Sequence, residues 1–511
     1  MTEPNIKDLE NRLDNLSRRN QKLQALLEIG KELGAEHNLD ILLEDIMSQA
    51  REVVEAERVS LFLVDKKENC LYTKIAQDLE ASEIRIPIGK GIAGQCAETL
   101  EPILIKEAYD DDRFNADIDK KTGYTTHSIL TVPMVDEEGA CNGVIQALNK
   151  RTGGSFDHDD QELLLALGGQ AAVAVDNAKL HGDIEQLLEG FIRASVYAIE
   201  ARDPTTSGHS ERVALLTTGL AEAVNRCPPK SLKAVSFSKD QLRELRYAAL
   251  LHDFGKVGVR EPVLIKAKKL YPEQFEVLKY RFAYAKKERE AQFWMRRCHL
   301  LEENLAVEQL KQQLMALEAQ FEQGQKELDG FWAFIEKCNE PTVLESGGFE
   351  KLQAISEVKV DMPHQHSCAL LHKDEMDCLS IPRGSLNQEE RVEIESHVTH
   401  TFHFLRRIPW TNSLKDVPEI AFTHHEKLDG SGYPRGVPAE EIPVQARMMT
   451  IADIYDALTA MDRPYKKAMP HGRALDILGM EAKAGKIDPI LLDVFIEANI
   501  HQHLQKMEAN S

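Results

Sequence analysis

The chain has 511 residues, enough for about three domains of ordinary size, with 42% hydrophobic and 29% charged residues. A formal charge of −22 argues against non-specific binding to nucleic acid or an anionic membrane, and no run of ~18 apolar residues offers a membrane span. The opening MTEPNIKDLE lacks a signal-peptide pattern and the eight cysteines contain no CxxC pair, so free thiols in a reducing, cytoplasmic compartment are expected.

Over residues 1–30, Ile6, Leu9, Leu13, Leu16, Asn20, Leu23 and Leu27 alternate three- and four-residue steps. That spacing predicts a coiled-coil helix with a register-setting Asn at an a position; a lone amphipathic helix is the alternative. From 31 to 180 a helix gives way to short strand-like runs: RVSLFLVD, RIPIG, PILI, SILTVPM and CNGVIQALN. The pattern predicts an α/β domain with an antiparallel sheet and flanking helices, closed by an apolar helix near 159–180. Asn177, Leu180, Ile184, Leu187, Phe191 and Ala194 continue the heptad steps. They predict a helical connector over 170–200 in a parallel homodimer.

Beyond 190 strand signals nearly vanish, and an all-α domain is expected over 190–282 and 386–511. Between them, 283–385 reads as an insertion. Leu310, Leu314, Leu317, Phe321, Leu328 and Phe331 at heptad spacing predict a helical hairpin, and 340–390 a smaller loop-and-strand piece.

Five segments of the all-α region carry ligand-type residues: GHSERV (His209), LLHDFGKVGV (His252, Asp253, Lys256), ESHVTH (His397, His400), HHEKLDGSGYP (His424, His425) and IADIYDALT (Asp453, Asp456). Mixed imidazole and carboxylate donors suit Fe or Mn, with Zn the alternative. Two such ions can clamp both oxygens of an in-line phosphoryl displacement. Neighbouring helical residues point about 100° apart, so His424 and His425 are expected to serve different metals or shells. Each residue alone is more readily a satisfied core histidine or a polar helix face; the combination carries the signal.

These segments, with EARDPTTSGHSERV and DRPYKKA, resemble the HD-GYP phosphodiesterases, HD-type metal-dependent phosphohydrolases that cleave cyclic di-GMP. The resemblance implies two divalent metals on His252, Asp253, His397, His424, His425 and Asp453, with His209 and His400 as less secure ligands. It implies catalytic roles for Asp253 and Lys256, a phosphate clamp from Arg463 and Lys466, and a substrate wall from Gly432, Tyr433 and Pro434. Three departures stand out. Thr205 replaces a Glu that binds a third metal in some members, HVTHT replaces HPxxG, and one extra residue separates Asp453 from Arg463. In the insertion, His364, His366, Cys368, His372 and Cys378 fit no zinc spacing.

The region 25–180 resembles GAF domains of cyclic-nucleotide phosphodiesterases and adenylyl cyclases, on GKGIAGQ, RFNADIDKKTGYTTHSILTVPM and GVIQALNK. Of their N-K…F-x3-D-E motif, Asn149, Lys150, Phe156 and Asp160 are present and Gln161 replaces the Glu. By position, ligand contacts fall on Ser60, Ile92, Ala93, Asn115, Asp119, Thr122, Thr126 and Gln146, with cAMP or cGMP as effector; a GAF fold that binds another ligand or only dimerises is the alternative. The expected whole is a GAF-regulated phosphodiesterase hydrolysing cyclic di-GMP to a linear dinucleotide and/or GMP. The alternatives are a hydrolase of another nucleotide phosphoester and a weakly catalytic receptor or scaffold.

Overall fold

The computed structural model describes residues 24, 27–73, 84–116, 119–120, 123–202, 207–229, 235–303, 305–344, 347–361, 367–460 and 469–502. Most of the N-terminal heptad seam (Ile6 to Leu23), Thr122, Thr205, His364, His366, Arg463 and Lys466 lie outside these residues. The chain forms two compact units, Met1–Gly190 and Phe191–Ser511.

In the first unit, helix α1 (Leu39–Val53) buries Leu42, Leu43, Ile46, Met47 and Ala50 along one face, and the Asn38 side chain caps it by accepting the Asp40 and Ile41 amides. Six strands follow: β1 (Ala56–Asp65), β2 (Cys70–Tyr72), β3 (Arg85–Pro87), β4 (Ile103–Ile105), β5 (Ile129–Val135) and β6 (Cys141–Lys150), with helix α2 (Gly91–Thr99) between β3 and β4. They make one antiparallel sheet in the order β3-β2-β1-β6-β5-β4. The two-residue strand period sorts the side chains by face. Leu61, Leu63 and Ile145 pack with α1 and the long helix α3 (His158–Glu200), whereas Phe62 and Val144 pack with Ala93, Cys96 and Ala97 of α2. The expected antiparallel α/β domain is present, and β2 is the strand the pattern missed, because three residues carry no legible alternation.

Helix α3 is unbroken through the expected connector. Leu180, Ile184, Leu187 and Phe191 are 58%, 62%, 75% and 49% exposed, an apolar stripe at heptad spacing.

The second unit is helical: α4 (His209–Arg226), α5 (Lys239–Leu251), a 3-10 turn (Phe254–Gly258) and α6 (Glu261–Leu264) precede α7 (Pro272–Glu302) and α8 (Val307–Asn339). Then come α9 (Gly348–Glu357), the strand pair β7 (Lys359–Val360) and β8 (Cys368–Ala369), α10 (Lys373–Leu379), α11 (Gln388–Glu395), α12 (His397–Leu405), α13 (Val417–Phe422), α14 (Val444–Thr459), α15 (His471–Lys483) and α16 (Pro489–Glu497). Helices α7 and α8 form the expected hairpin. Its core joins Leu278, Phe282 and Ala285 to Leu328, Ile335, Leu352, Leu370 and Leu379. Helix α7 crosses the expected 282/283 boundary unbroken, with Leu278, Phe282 and Ala285 on one apolar face in that core.

Candidate metal centre

Four helix ends and one helix interior converge on the site. Helix α5 starts on a capping box between Ser238 and Gln241 and buries Leu245, Ala248, Ala249, Leu250 and Leu251, which delivers His252 at its C-cap. The chain turns at Gly255, where a Cβ would lie 1.9 Å from the His397 carbonyl oxygen and 2.4 Å from the Thr401 nitrogen. Thr401 stands where the HPxxG pattern has Gly. Its hydroxyl accepts the Gly255 amide at 2.8 Å and donates to the His252 carbonyl at 3.0 Å, locking the turn onto α12.

His252, His397 and His424 share one local geometry. Each Nδ1–H donates to the carbonyl three residues earlier: Ala249 at 2.7 Å, Ile394 at 2.5 Å and Ala421 at 2.6 Å. The opposite nitrogen, Nε2, is buried in all three without a hydrogen-bond partner. A backbone carbonyl on one ring nitrogen and a bare second nitrogen is how metal-ligating histidines are oriented. Three orphaned imidazole nitrogens are otherwise costly.

The donors form two groups whose ligand atoms lie within 4.8 Å of one another: His397, His424 and His425, and His209, His252 and Asp253. His424 and His425 both fall in the first group, the tight turn after α13 bringing their rings to 4.0 Å. Two carboxylates span the groups. Asp253 Oδ1 is 3.3 Å from His397 Nε2, and its Oδ2 is 3.4 Å from His252 and 3.7 Å from His209. Asp453, inside α14, has Oδ1 3.3 Å from His209 Nε2 and Oδ2 3.9 Å from His425 Nδ1. Such a mixed donor set fits a pair of divalent transition ions.

The electrostatics of Asp253, His424 and His425 agree with ligand duty, and those of His209 run the other way. Burial would raise the Asp253 carboxyl, but Lys256, 2.8 Å away, and His252 hold it well below the usual range. Burial pushes His424 down to about 3 and drives His425 down as well, leaving neutral imidazoles with free lone pairs. Burial would lower His209 too, yet hydrogen bonds to Asp453 and Asp456 raise it to about 9.

His400, expected as a rival ligand, is a correction. It is exposed, and its ring lies against Gly258, because three residues along α12 turn it about 60° away from His397. Arg212 and Glu426 were missed. The first, on α4, donates to Asp456 through Nε at 2.7 Å and Nη2 at 3.1 Å, while Asp456 also takes His209 Nδ1–H at 2.7 Å. Glu426, 2% exposed, accepts the amides of Arg435 at 2.7 Å and Val437 at 3.2 Å, holding the GYP turn. An acidic residue directly after two ligand histidines was the available signal. Gly432 is required there, since a Cβ would meet the Lys427 nitrogen at 2.3 Å. The Tyr433 ring then lies 4.7 Å from that of His425, at the rim of the centre.

In the first unit a cavity of about 520 Å³ is lined by Ile92, Ala93, Asn115, Asp119, Thr126 and Gln146, together with Arg85, Lys90, Arg113 and Phe114. Ser60 faces Gln146 across β1 and β6 but does not line it. Asn149 and Lys150 prove structural. Asn149 Oδ1 accepts the His127 and Ser128 amides at 2.6 and 3.2 Å, and Lys150 pairs with Asp160. A third group of donor atoms, Asp65, Glu68 and Cys70, surrounds the Arg85 guanidinium instead, with Glu68 at 2.5 Å.

HD domain models match residues 206–326 and 374–491, and a GAF domain model matches 38–175. The chain carries a GAF domain followed by a helical HD domain. It is 34% identical over 186 residues to a probable 3',5'-cyclic phosphodiesterase of Caenorhabditis elegans, covering 34% of this chain and 25% of that protein. It is 35% identical over 169 residues to a dual 3',5'-cyclic-AMP and -GMP phosphodiesterase 11A of Takifugu rubripes, covering 31% and 19%. The chain thus spans a quarter or less of the length of these relatives. Among solved structures it is similar to the GAF domain of a phosphoenolpyruvate-protein phosphotransferase from Coxiella burnetii, at 22% identity over 32% of this chain and 98% of that one, with a TM-score of 0.30. No helix among the described residues is long and apolar enough to cross a membrane.

Proposed function

We propose that the chain is a metal-dependent phosphodiesterase whose substrate is a cyclic dinucleotide, cyclic di-GMP foremost. The observation that carries this reading is the trio of buried, partnerless Nε2 atoms on His252, His397 and His424, spanned by Asp253 and Asp453. His252, Asp253, His397, His424, His425 and Asp453 would hold two ions, Fe or Mn, with His209 the less secure ligand. Bound, such ions supply Lewis acidity and lower the pKa of water at neutral pH.

The chain's own groups do the rest. Lys256, 15% exposed at its side chain and paired with Asp253 at 2.8 Å, stabilises the departing oxygen. Burial, with Asp453 and Asp253 nearby, raises the Tyr433 phenol, which stays protonated and able to donate to a phosphate oxygen. Gly432 and Pro434 shape the wall, and Arg463 and Lys466 complete the phosphate clamp. A small ligand in the first unit's cavity, cAMP or cGMP, regulates the reaction in the cytoplasm. The α3 stripe from Leu180 to Phe191 supports a parallel homodimer.

The test is anaerobic purification with metal analysis, then incubation with cyclic di-GMP, mixed cyclic dinucleotides, cAMP and cGMP beside Asp253→Ala. Two bound metals with turnover of cyclic di-GMP, absent from the variant, support the reading. Turnover of cAMP or cGMP alone moves the substrate to the mononucleotides, and two metals with no turnover moves the chain to a receptor. Calorimetric titration with cAMP and cGMP tests the effector, and sedimentation of Leu187→Glu beside the unchanged chain tests the dimer.

A further inference from the structure

The end of α3 is tied to the candidate metal centre at two separate points. Glu200, its last residue, accepts the backbone amides of Gly208 at 2.8 Å and Ser210 at 3.2 Å. Those amides flank His209, which opens α4 behind Gly208 in the left-handed region (φ 66°). Gly208 has no side chain to cap the helix, so Glu200 supplies the missing acceptor from outside. Two residues on, Arg202 donates to the Val259 carbonyl at 2.9 Å through Nη2 and to the Val257 carbonyl through Nη1. Both carbonyls belong to the turn that carries Asp253 and Lys256, and the Val259 amide closes that turn on the Lys256 carbonyl at 3.1 Å. A planar fork across two carbonyls fixes a turn as a single ammonium cannot.

We infer that Glu200 and Arg202 are positioning residues: Glu200 sets His209 against Asp453 and Asp456, and Arg202 sets Lys256 against the leaving oxygen. The inference rests on the hydrolase reading and adds a route by which α3 acts on the centre. Earlier turns of the same helix put Leu164, Leu167, Ala171 and Val175 into the core beneath the antiparallel sheet.

The experiment uses the full chain with Glu200→Ala, Glu200→Gln, Arg202→Gln and Arg202→Lys. Metal retained after dialysis against a chelator, melting temperature, and kcat and KM on bis(p-nitrophenyl) phosphate are measured; that general phosphodiester probe does not depend on the dinucleotide assignment. Glu200→Ala is expected to weaken metal retention about tenfold or more, with most of it restored in Glu200→Gln, whose amide oxygen still accepts. Arg202→Gln is expected to lower kcat about 10- to 100-fold with KM and metal content nearly unchanged, and Arg202→Lys to recover only part. Variants that match the unchanged chain in both readouts overturn the inference. So do variants that lose metal, kcat and melting temperature together without rescue. An unchanged chain that retains no metal overturns the hydrolase reading and takes the inference with it.

Discussion

Asp253 Oδ1 lies 3.3 Å from Nε2 of His397, a residue from a distant segment of the chain. With Oδ2 turned to His252, His209 and Lys256, one carboxylate joins both donor groups. Replacing it should therefore disturb both metals. Asp253→Ala is expected to retain one metal or none and to lose at least about 100-fold in turnover, read by elemental analysis and initial rates. Turnover within a few-fold of the unchanged chain would sink the assignment.

Gly255→Ala tests the packing beneath that pair. Its methyl has no room against the His397 carbonyl at 1.9 Å, and the obstacle is backbone rather than a movable side chain. We expect a loss of about 1–3 kcal/mol in urea unfolding. Metal retention should fall with it, because α12 must move away from the turn. Thr401→Val, which removes only the hydroxyl bridge, should fall short of that loss.

A pH prediction comes from a buried pair away from the centre. Lys266 Nζ bonds both oxygens of Glu390 at 2.7 and 2.8 Å, and Tyr271 donates to one at 2.7 Å. Burial would raise the Glu390 carboxyl, but Lys266 and Tyr271 lower it below its ordinary value. A depressed carboxylate contributes stability that is complete above the unfolded pKa, about 4.3, and is lost as pH falls through the folded value. In metal-free protein the advantage over Glu390→Gln should be constant from pH 7 to 5 and shrink toward pH 3, as followed by thermal melting. An advantage that grows on acidification would contradict the pairing.

In the GAF domain, Asn149→Ala removes the acceptor of two amides and leaves a non-glycine residue at φ 51°. Unsatisfied amides cost about 1–3 kcal/mol and left-handed backbone about 1–2 more. Asn149→Gly relieves only the second, so it should be the milder substitution in urea unfolding. Both should weaken ligand binding, because the 123–128 loop bearing Thr126 hangs from this side chain.

Periodicity and motif explain how much was legible in the sequence. Strand alternation in RVSLFLVD and CNGVIQALN exposed the two central strands, and the heptad steps exposed α3 and the hairpin. The candidate ligands His252, His397, His424 and Asp453 stood out by residue type against apolar neighbours, and the resemblance to the HD-GYP phosphodiesterases made them a set. Partnership was not legible. Nothing local in the sequence says that Arg212 serves Asp456, that the Thr401 hydroxyl bridges Gly255 and His252, or that His400 turns outward. Those follow from helix phase and from contacts between distant segments, which composition and spacing do not encode.

The chain before the α7–α8 hairpin meets the chain after α10 at one place. Lys266 and Glu390 are directly bonded, and the Ser385 hydroxyl donates to the Lys266 carbonyl at 2.8 Å. Everything between returns to its starting point with its own apolar core around Leu278, Leu328 and Leu370. Because the chain leaves and returns at that one junction, the length of what lies between does not set the spacing of His252 and His397.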